Sequence, residues 1–356
     1  MPSSEMLHVF QPTVEVPELN EWLALLSSRG ADSSLMWLGA TPVIVTTETA
    51  TIPAPPRLAR PVVTVPSGDG VRLGRRELRP EGTVVSIGPA KIGDGSVAIF
   101  AGPCAVESSE QMEDVARAVA GRGVVGLRGG AFKPRTSPYS FQGLKWSGLE
   151  MLEEVRLKTG LPILTEVVDT RHVASVAEVA DALQIGARNM QNFELLREVG
   201  AAGRPVVLKR GFGCTVDEVL GAAEYILATG NDQVILCERG IRTFEQATRF
   251  TLDISAVALF KQRSHLPVMV DPSHSTGLPK LVEPVALAAV AAGADALLVD
   301  VHTQPEKALC DGAQALRPSG FRELVGRLEM LALGLGRNVS VVVDVDVRDA
   351  PVAQSA

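Results

Sequence analysis

A chain of 356 residues with 46% apolar and 21% charged positions can bury a large core, and its length suggests about two domains. A net charge of −7 argues against a nucleic-acid surface, and no apolar stretch reaches the roughly 18 residues of a membrane span. The N-terminus lacks a basic segment leading into an apolar run, and four widely spaced cysteines fit reduced intracellular usage, so the cytoplasm is expected.

In chain order, an apolar run at 6–10, an amphipathic helix near 17–29 and strand-like runs at 34–38, 42–47 and 62–65 make a small α+β unit over 1–66. Leu19, Trp22, Leu23, Leu25 and Leu26 give that helix a core-facing stripe. Ile52-Pro53-Ala54-Pro55-Pro56 is incompatible with a helix interior, which predicts a loop or extended segment there. Residues 67–96 hold a Gly- and Arg-rich linker and a hairpin, since the strand-like runs within 83–99 flank Gly93-Asp94-Gly95 with its Asp-Gly turn signal. The hairpin is expected to close the bottom of the larger domain that begins at 97.

From 97 to 334 apolar runs recur at 97–103, 124–130, 161–168, 182–187, 205–211, 233–239, 267–274 and 296–302. Helical stretches fall near 108–120, 147–159, 170–180, 192–200, 215–229, 245–263, 280–292 and 320–333. This alternation predicts a (β/α)8 TIM barrel of the α/β class, with chemistry at the C-terminal ends of its strands. In the tail, 335–356, a Val/Asp-rich stretch from Val341 to Val347 is a candidate edge strand without defensible chemistry.

The strand ends carry two constellations. Arg128, Lys133 and Arg135 lie in the second strand and the loop leaving it, with the hydroxyls of Thr136 and Ser137 beside them. Arg188, Lys209 and Arg239 end three other strands. A lone Arg or Lys at a strand end is usually a solvated surface group. Six cations aimed at one mouth instead predict a substrate with more than one anionic group, because Arg offers a planar fork and Lys a compact charge. The second set is Cys104, His274, Asp300 and Asp311. Each alone reads as a buried small residue, a cap or a loop residue. Together, thiolate, imidazole and carboxylates suit one divalent metal such as Zn, Mn, Fe or Co. His302 is expected to point to the same side as Asp300 and stand behind the ligands. His265 and His172 are expected to be structural.

At these residues the chain resembles the 3-deoxy-D-arabino-heptulosonate 7-phosphate (DAHP) synthases of the type I beta group, also called phospho-2-dehydro-3-deoxyheptonate aldolases. The matches are AGPCAVES at 101–108, LRGGAFKPRTSPYSFQGL at 127–144, GARNMQNFELL at 186–196, LKRG at 208–211, CERG at 237–240, TLDISAV at 251–257, DPSHS at 271–275 and EKALCDG at 306–312. Lys133-Pro134-Arg135-Thr136-Ser137 favours this family over the sister octulosonate 8-phosphate synthases. The resemblance implies a transferase that condenses phosphoenolpyruvate with erythrose 4-phosphate, the entry step to the shikimate pathway and aromatic amino acid biosynthesis. It implies phosphoenolpyruvate contacts from Arg128, Lys133, Arg188, Lys209 and Arg239, and an aldose-phosphate site at Pro134, Arg135, Thr136 and Ser137. The expected catalytic groups are Lys133 as acid, Glu166 on the water, and Cys104 and His274 through the metal.

The N-terminal unit looks like the ferredoxin-like domain that some family members use for feedback inhibition. Without an obvious second helix, it predicts weak or no inhibition by phenylalanine or tyrosine. A homo-oligomer is implied, and family precedent allows a separate chorismate mutase partner. The pattern departs from the family where Asp300 replaces the usual glutamate, at Thr276-Gly277, at His302-Thr303-Gln304-Pro305 and at Asp311-Gly312-Ala313. Those departures keep two other readings open: a paralogous synthase using another aldose phosphate in secondary metabolism, and a non-catalytic regulatory subunit.

Overall fold

The computed structural model describes residues 5–47, 60–66 and 70–340, apart from Arg122 and Thr136. The Ile52–Pro56 segment, the Val341–Val347 stretch and Thr136 therefore lie outside the described residues. Among the described residues no helix is long and apolar enough to cross a membrane.

The N-terminal unit runs β1 (Glu5–Val9), α1 (Val16–Ser28), β2 (Ser33–Leu38), β3 (Thr41–Thr47) and β4 (Val63–Pro66). Its sheet is antiparallel with order β2-β3-β1-β4, the strand order of a ferredoxin-like unit. Successive side chains point to opposite faces, so one strand can serve two cores. Phe10 and Ile44 pack with Leu19, Trp22 and Leu26 of α1, whereas Leu7, Val9, Val43 and Val45 join the large core that includes Leu73 and Leu227.

A hairpin of β5 (Val85–Ile87) and β6 (Ala90–Ile92) comes next, but its turn is not at Gly93-Asp94-Gly95 as the Asp-Gly signal suggested. Ile87 faces Ala90 across Gly88-Pro89, and Gly88 sits at φ +55°. A positive φ followed by proline's fixed negative φ suits a two-residue type II′ loop, which explains the choice. The Asp-Gly segment instead turns the chain into the barrel, with Asp94 Oδ1 accepting from Ser96 N at 3.0 Å. Val85, Ile87, Ala90 and Ile92 pack against Ala98, Phe100, Val207 and Leu298, so the hairpin plugs the barrel bottom as expected.

The barrel alternates β7 (Ala98–Gly102), α2 (Ser109–Val119), β8 (Val124–Arg128), α3 (Trp146–Thr159), β9 (Ile163–Glu166), α4 (Val173–Val179), β10 (Ala182–Ile185) and α5 (Phe193–Ala201). It continues with β11 (Val206–Lys209), α6 (Val216–Leu227), β12 (Val234–Glu238), α7 (Ile254–Arg263), β13 (Val268–Val270), α8 (Pro272–Thr276), α9 (Pro279–Ala291), β14 (Ala296–Asp300) and α10 (Pro318–Gly334). Strands β7 to β14 pair in parallel and close on themselves, completing the eight-stranded barrel.

Inward-facing rows climb from apolar to charged in steps of two. Leu164 leads to Glu166, Val207 to Lys209, Ile235 and Cys237 to Arg239, Met269 to Asp271, and Leu298 to Asp300. The lower layers fill the barrel; the top layer becomes the floor of a site. The helix expected at 245–263 begins only at Ile254, where Asp253 accepts from Ala256 N at 3.1 Å as its N-cap. The preceding residues form a loop closed by paired bonds between Ile241 and Thr251. From the tail, Asn338 O and Ser340 N bond both main-chain groups of Val97 just before β7.

Candidate active site

The βα loops gather seven cations around one pocket: Arg128, Lys133, Arg135, Arg188, Lys209, Arg239 and Arg249, with Pro134, Glu166, Gln184, His274 and Asp311 between them. The six expected from sequence are all present. Arg249 comes from the loop before α7, where the sequence suggested helix. Ser137 does not line the pocket; its Oγ accepts from Tyr139 N at 3.3 Å.

Small residues make room for the larger ones. A Cβ on Gly186 would stand 1.9 Å from Glu166 Oε1, and one on Gly130 would stand 2.7 Å from Lys133 Cδ. A side chain at either position would push Glu166 or Lys133 out of its present place. Lys133 Nζ donates to Cys104 O at 3.0 Å and to Cys104 Sγ at 3.2 Å. Burial alone would lower the Lys133 ammonium, but Cys104, Glu166 and Cys310 outweigh it and the net shift is upward, keeping the group charged.

Arg239 is only partly satisfied by protein. Its guanidinium lies 4.1 Å from the centroid of Phe250 and 4.9 Å from that of Phe212, two rings stacked at 4.9 Å. Nη2 donates to His274 O at 3.3 Å, while the buried Nη1 has no hydrogen-bond partner. Burial lowers its pKa to about 10. A buried cation with an unpartnered donor beside a concave pocket is built to receive an anion.

Below the cations lies the second set. Cys104 Sγ stands 3.5 Å from His274 Nε2 and 3.3 Å from Asp311 Oδ2, and Asp311 Oδ2 is 3.7 Å from His274 Nε2. His274 sits on α8, which starts at the Asp271 cap and Pro272 and ends at Gly277 with φ +69°. Asp311 holds φ +53°, a left-handed conformation costing about 1 kcal/mol in a non-glycine residue, and in it the carboxylate reaches Cys104. Burial would raise its pKa, but His274 and Arg249 hold it well below the ordinary value. Asp300 Oδ1 lies 3.0 Å from Arg128 Nη1, and its Oδ2 accepts from Gln314 Nε2 at 2.6 Å.

Asp271, which the strand-end pattern alone did not single out, is fully buried and joins both sets. Its Oδ2 pairs with Lys209 Nζ at 2.5 Å and with His274 Nδ1 at 2.8 Å, while Oδ1 accepts from His274 N at 2.9 Å. Burial pushes the Asp271 carboxyl up, yet His274 and Lys209 hold it well below its usual value. The signal was available: Asp271 is two residues beyond Met269 on an inward row.

The donors fit a divalent metal. Sulfur, imidazole and carboxylate atoms of Cys104, His274 and Asp300 lie within 4.8 Å of one another, as do those of Cys104, Cys310 and Asp311. The buried Asp300 Oδ1 and His274 Nδ1 lack aligned hydrogen bonds. With Nδ1 beside Asp271, His274 presents Nε2 to the sulfur, the usual carboxylate–histidine–metal arrangement. Three other histidines of the barrel domain stand elsewhere. His302 Nε2 meets Gln111 Nε2 at 3.0 Å and its Nδ1 accepts from Gln304 N, so its hydrogen bonds go to α2 and its own loop rather than to the donor set. His265 bonds Thr83 and Leu73 near the barrel bottom, and His172 stacks on Phe132.

The chain is similar to known proteins over most of its length. Residues 81–331 match the profile of the DAHP synthetase I family. The phospho-2-dehydro-3-deoxyheptonate aldolase of Thermotoga maritima is 53% identical over 269 residues, covering 76% of this chain and 80% of the relative. The 2-dehydro-3-deoxyphosphooctonate aldolase of Syntrophotalea carbinolica is 34% identical over 63% of this chain and 86% of its own length. The crystal structure of the Thermotoga maritima DAHP synthase superposes with a TM-score of 0.76 at 44% identity, covering 95% of this chain and 100% of that one. A truncated form of the same synthase gives 0.71 at 48% identity over 76% of this chain and 100% of that one. The chain belongs to the DAHP synthetase I family.

Proposed function

We propose that the chain condenses phosphoenolpyruvate with D-erythrose 4-phosphate and water, giving 3-deoxy-D-arabino-heptulosonate 7-phosphate and inorganic phosphate, the first step of the shikimate pathway. The observation that carries this reading is one pocket in which Arg128, Lys133, Lys209 and Arg239 stand over His274 and Asp311. The substrates bring about five negative charges, which a pocket without such cations could not hold.

Arg128, Lys133, Arg188, Lys209 and Arg239 bind the phosphate and carboxylate of phosphoenolpyruvate, and Pro134, Arg135 and Thr136 receive the aldose phosphate. Held together, the enol carbon attacks the aldehyde carbon and forms the new carbon–carbon bond. Water adds to the cationic carbon left behind, and the carbon–oxygen bond to phosphate then breaks. Lys133 Nζ, kept protonated by its neighbours, delivers a proton to the aldehyde oxygen. Glu166, given room by Gly186, orients the water and takes its proton. Residues drawn from Cys104, His274, Asp300 and Asp311 would hold a divalent metal, which supplies Lewis-acid polarisation of the aldehyde.

Lys133→Met tests the acid role. It is expected to lower turnover by about 10²- to 10⁴-fold with phosphoenolpyruvate still bound, and unchanged turnover would remove that role. The reading includes a reducing cytoplasm, supported by four free cysteines. It also includes a homo-oligomer and a separate chorismate mutase partner. The exposed Met330 and Leu333 on α10 support an assembly surface, and sedimentation of the protein alone and with the mutase tests it.

A further inference from the structure

Of the four residues offered as metal ligands, Asp300 is the one set between Arg128 and Gln314. It is one methylene shorter than the glutamate of the family pattern. Gln314 Nε2 donates to its Oδ2 at 2.6 Å, and its Oδ1 pairs with Arg128 Nη1 at 3.0 Å without an aligned hydrogen bond. Its approach to His274 is to Nδ1, at 3.6 Å, whereas Cys104 and Asp311 approach Nε2. Asp300 thus stands on the Asp271 side of the imidazole. A second sulfur stands beside the first. Cys310 is buried, and its Sγ lies 3.7 Å from Cys104 Sγ.

We propose that Cys310 is a metal ligand of this chain, joining Cys104, His274 and Asp311, and that Asp300 serves as the clamp of Arg128 rather than as a ligand. Two sulfurs bound at about 2.3 Å to one tetrahedral ion stand about 3.8 Å apart, and a sulfur and an imidazole nitrogen about 3.6 Å. The observed separations are 3.7 Å for the sulfur pair and 3.5 Å for Cys104 and His274. Two packed thiols could come equally close, so the weight falls on what surrounds them. Each sulfur has its own cation: Lys133 Nζ lies 3.2 Å from Cys104 Sγ, and Arg135 Nη1 donates to Cys310 Sγ. A cation beside each sulfur offsets the negative charge that a second sulfur would bring to a metal. Asp311 follows Cys310 directly, and its left-handed backbone lets adjacent residues present a sulfur and an oxygen to the same point.

A second thiolate shifts the preference of the site towards softer ions such as zinc, cobalt and iron, and away from manganese and magnesium. This proposal rests on the metal-dependent reading of the site, and the experiment separates the two. X-ray absorption at the zinc edge of the zinc-loaded full-length protein is expected to show two sulfur neighbours at about 2.3 Å. Cys310→Ser and Cys104→Ser are each expected to show one, with cobalt-loaded samples losing about half of their sulfur-to-metal absorption in the near ultraviolet. One sulfur in the unaltered protein, or two in Cys310→Ser, overturns the role of Cys310 while leaving the metal reading intact. Failure of the unaltered protein to bind zinc or cobalt overturns both.

Discussion

Asp271→Asn removes one charge without changing shape, and the structure sets the size of the effect. The carbonyl oxygen of the introduced amide can still accept from His274 N, so the α8 cap survives. The amide nitrogen then replaces Oδ2, which faces Lys209 Nζ at 2.5 Å and His274 Nδ1 at 2.8 Å, both of them donors. Lys209 is left as an uncompensated cation with only 4% of its surface exposed. Breaking a buried pair from one side costs about 3–5 kcal/mol. For a domain of this size that lowers the melting temperature by roughly 10 °C. Losing the carboxylate behind a metal-binding imidazole costs about 10- to 100-fold in metal affinity. Calorimetric melting of the metal-free protein and zinc titration against a competing chelator read the two effects separately. A variant within about 1 kcal/mol in stability and threefold in zinc affinity would refute the assignment of Asp271 as the link between anion pocket and metal donors.

Phe250→Ala removes the ring 4.1 Å below Arg239, a cation–π contact worth about 0.5–2 kcal/mol. It should raise KM for phosphoenolpyruvate roughly 2- to 30-fold with a smaller change in kcat, and an unchanged KM contradicts the platform. His265 is buried with its pKa lowered from 6.5 to about 4, mainly by burial, which outweighs the opposing hydrogen bond to Leu73 O, with Arg79 and Arg76 adding to the effect against Asp232. The unfolded chain therefore takes up the proton first on acidification. Stability is full above pH 6.5 and falls as pH drops towards about 4, by roughly 3 kcal/mol across the window. His265→Gln should flatten that part of the urea-unfolding profile; an unaltered slope assigns the acid sensitivity elsewhere.

The barrel was legible because parallel strands buried on both sides read as short apolar runs, and each ran into a polar residue where it met the mouth. The strand-end cations Arg128, Lys209 and Arg239 were legible at the mouth for the same reason. What escaped depended on contacts between distant segments. Arg249 reaches the site only because the chain from Ile241 to Thr251 closes on itself instead of continuing a helix. Cys310 carried no role in the sequence reading, because only folding sets it against Cys104, 206 positions away. The Asp-Gly signal failed because Gly88-Pro89 supplied a tighter turn within the same segment. Asp271 was legible in principle, since it lies on an inward row and shares the period of two that brings Lys209 and Asp300 to the mouth.

The most direct test is release of inorganic phosphate from phosphoenolpyruvate, measured with and without erythrose 4-phosphate, before and after chelation. Phosphate and a seven-carbon sugar phosphate are expected in equal amounts, and only when both substrates are present. That activity should be lost on chelation and recovered with zinc, cobalt or iron. Phosphate release that ignores the aldose, or full activity after exhaustive chelation, would contradict the proposed chemistry.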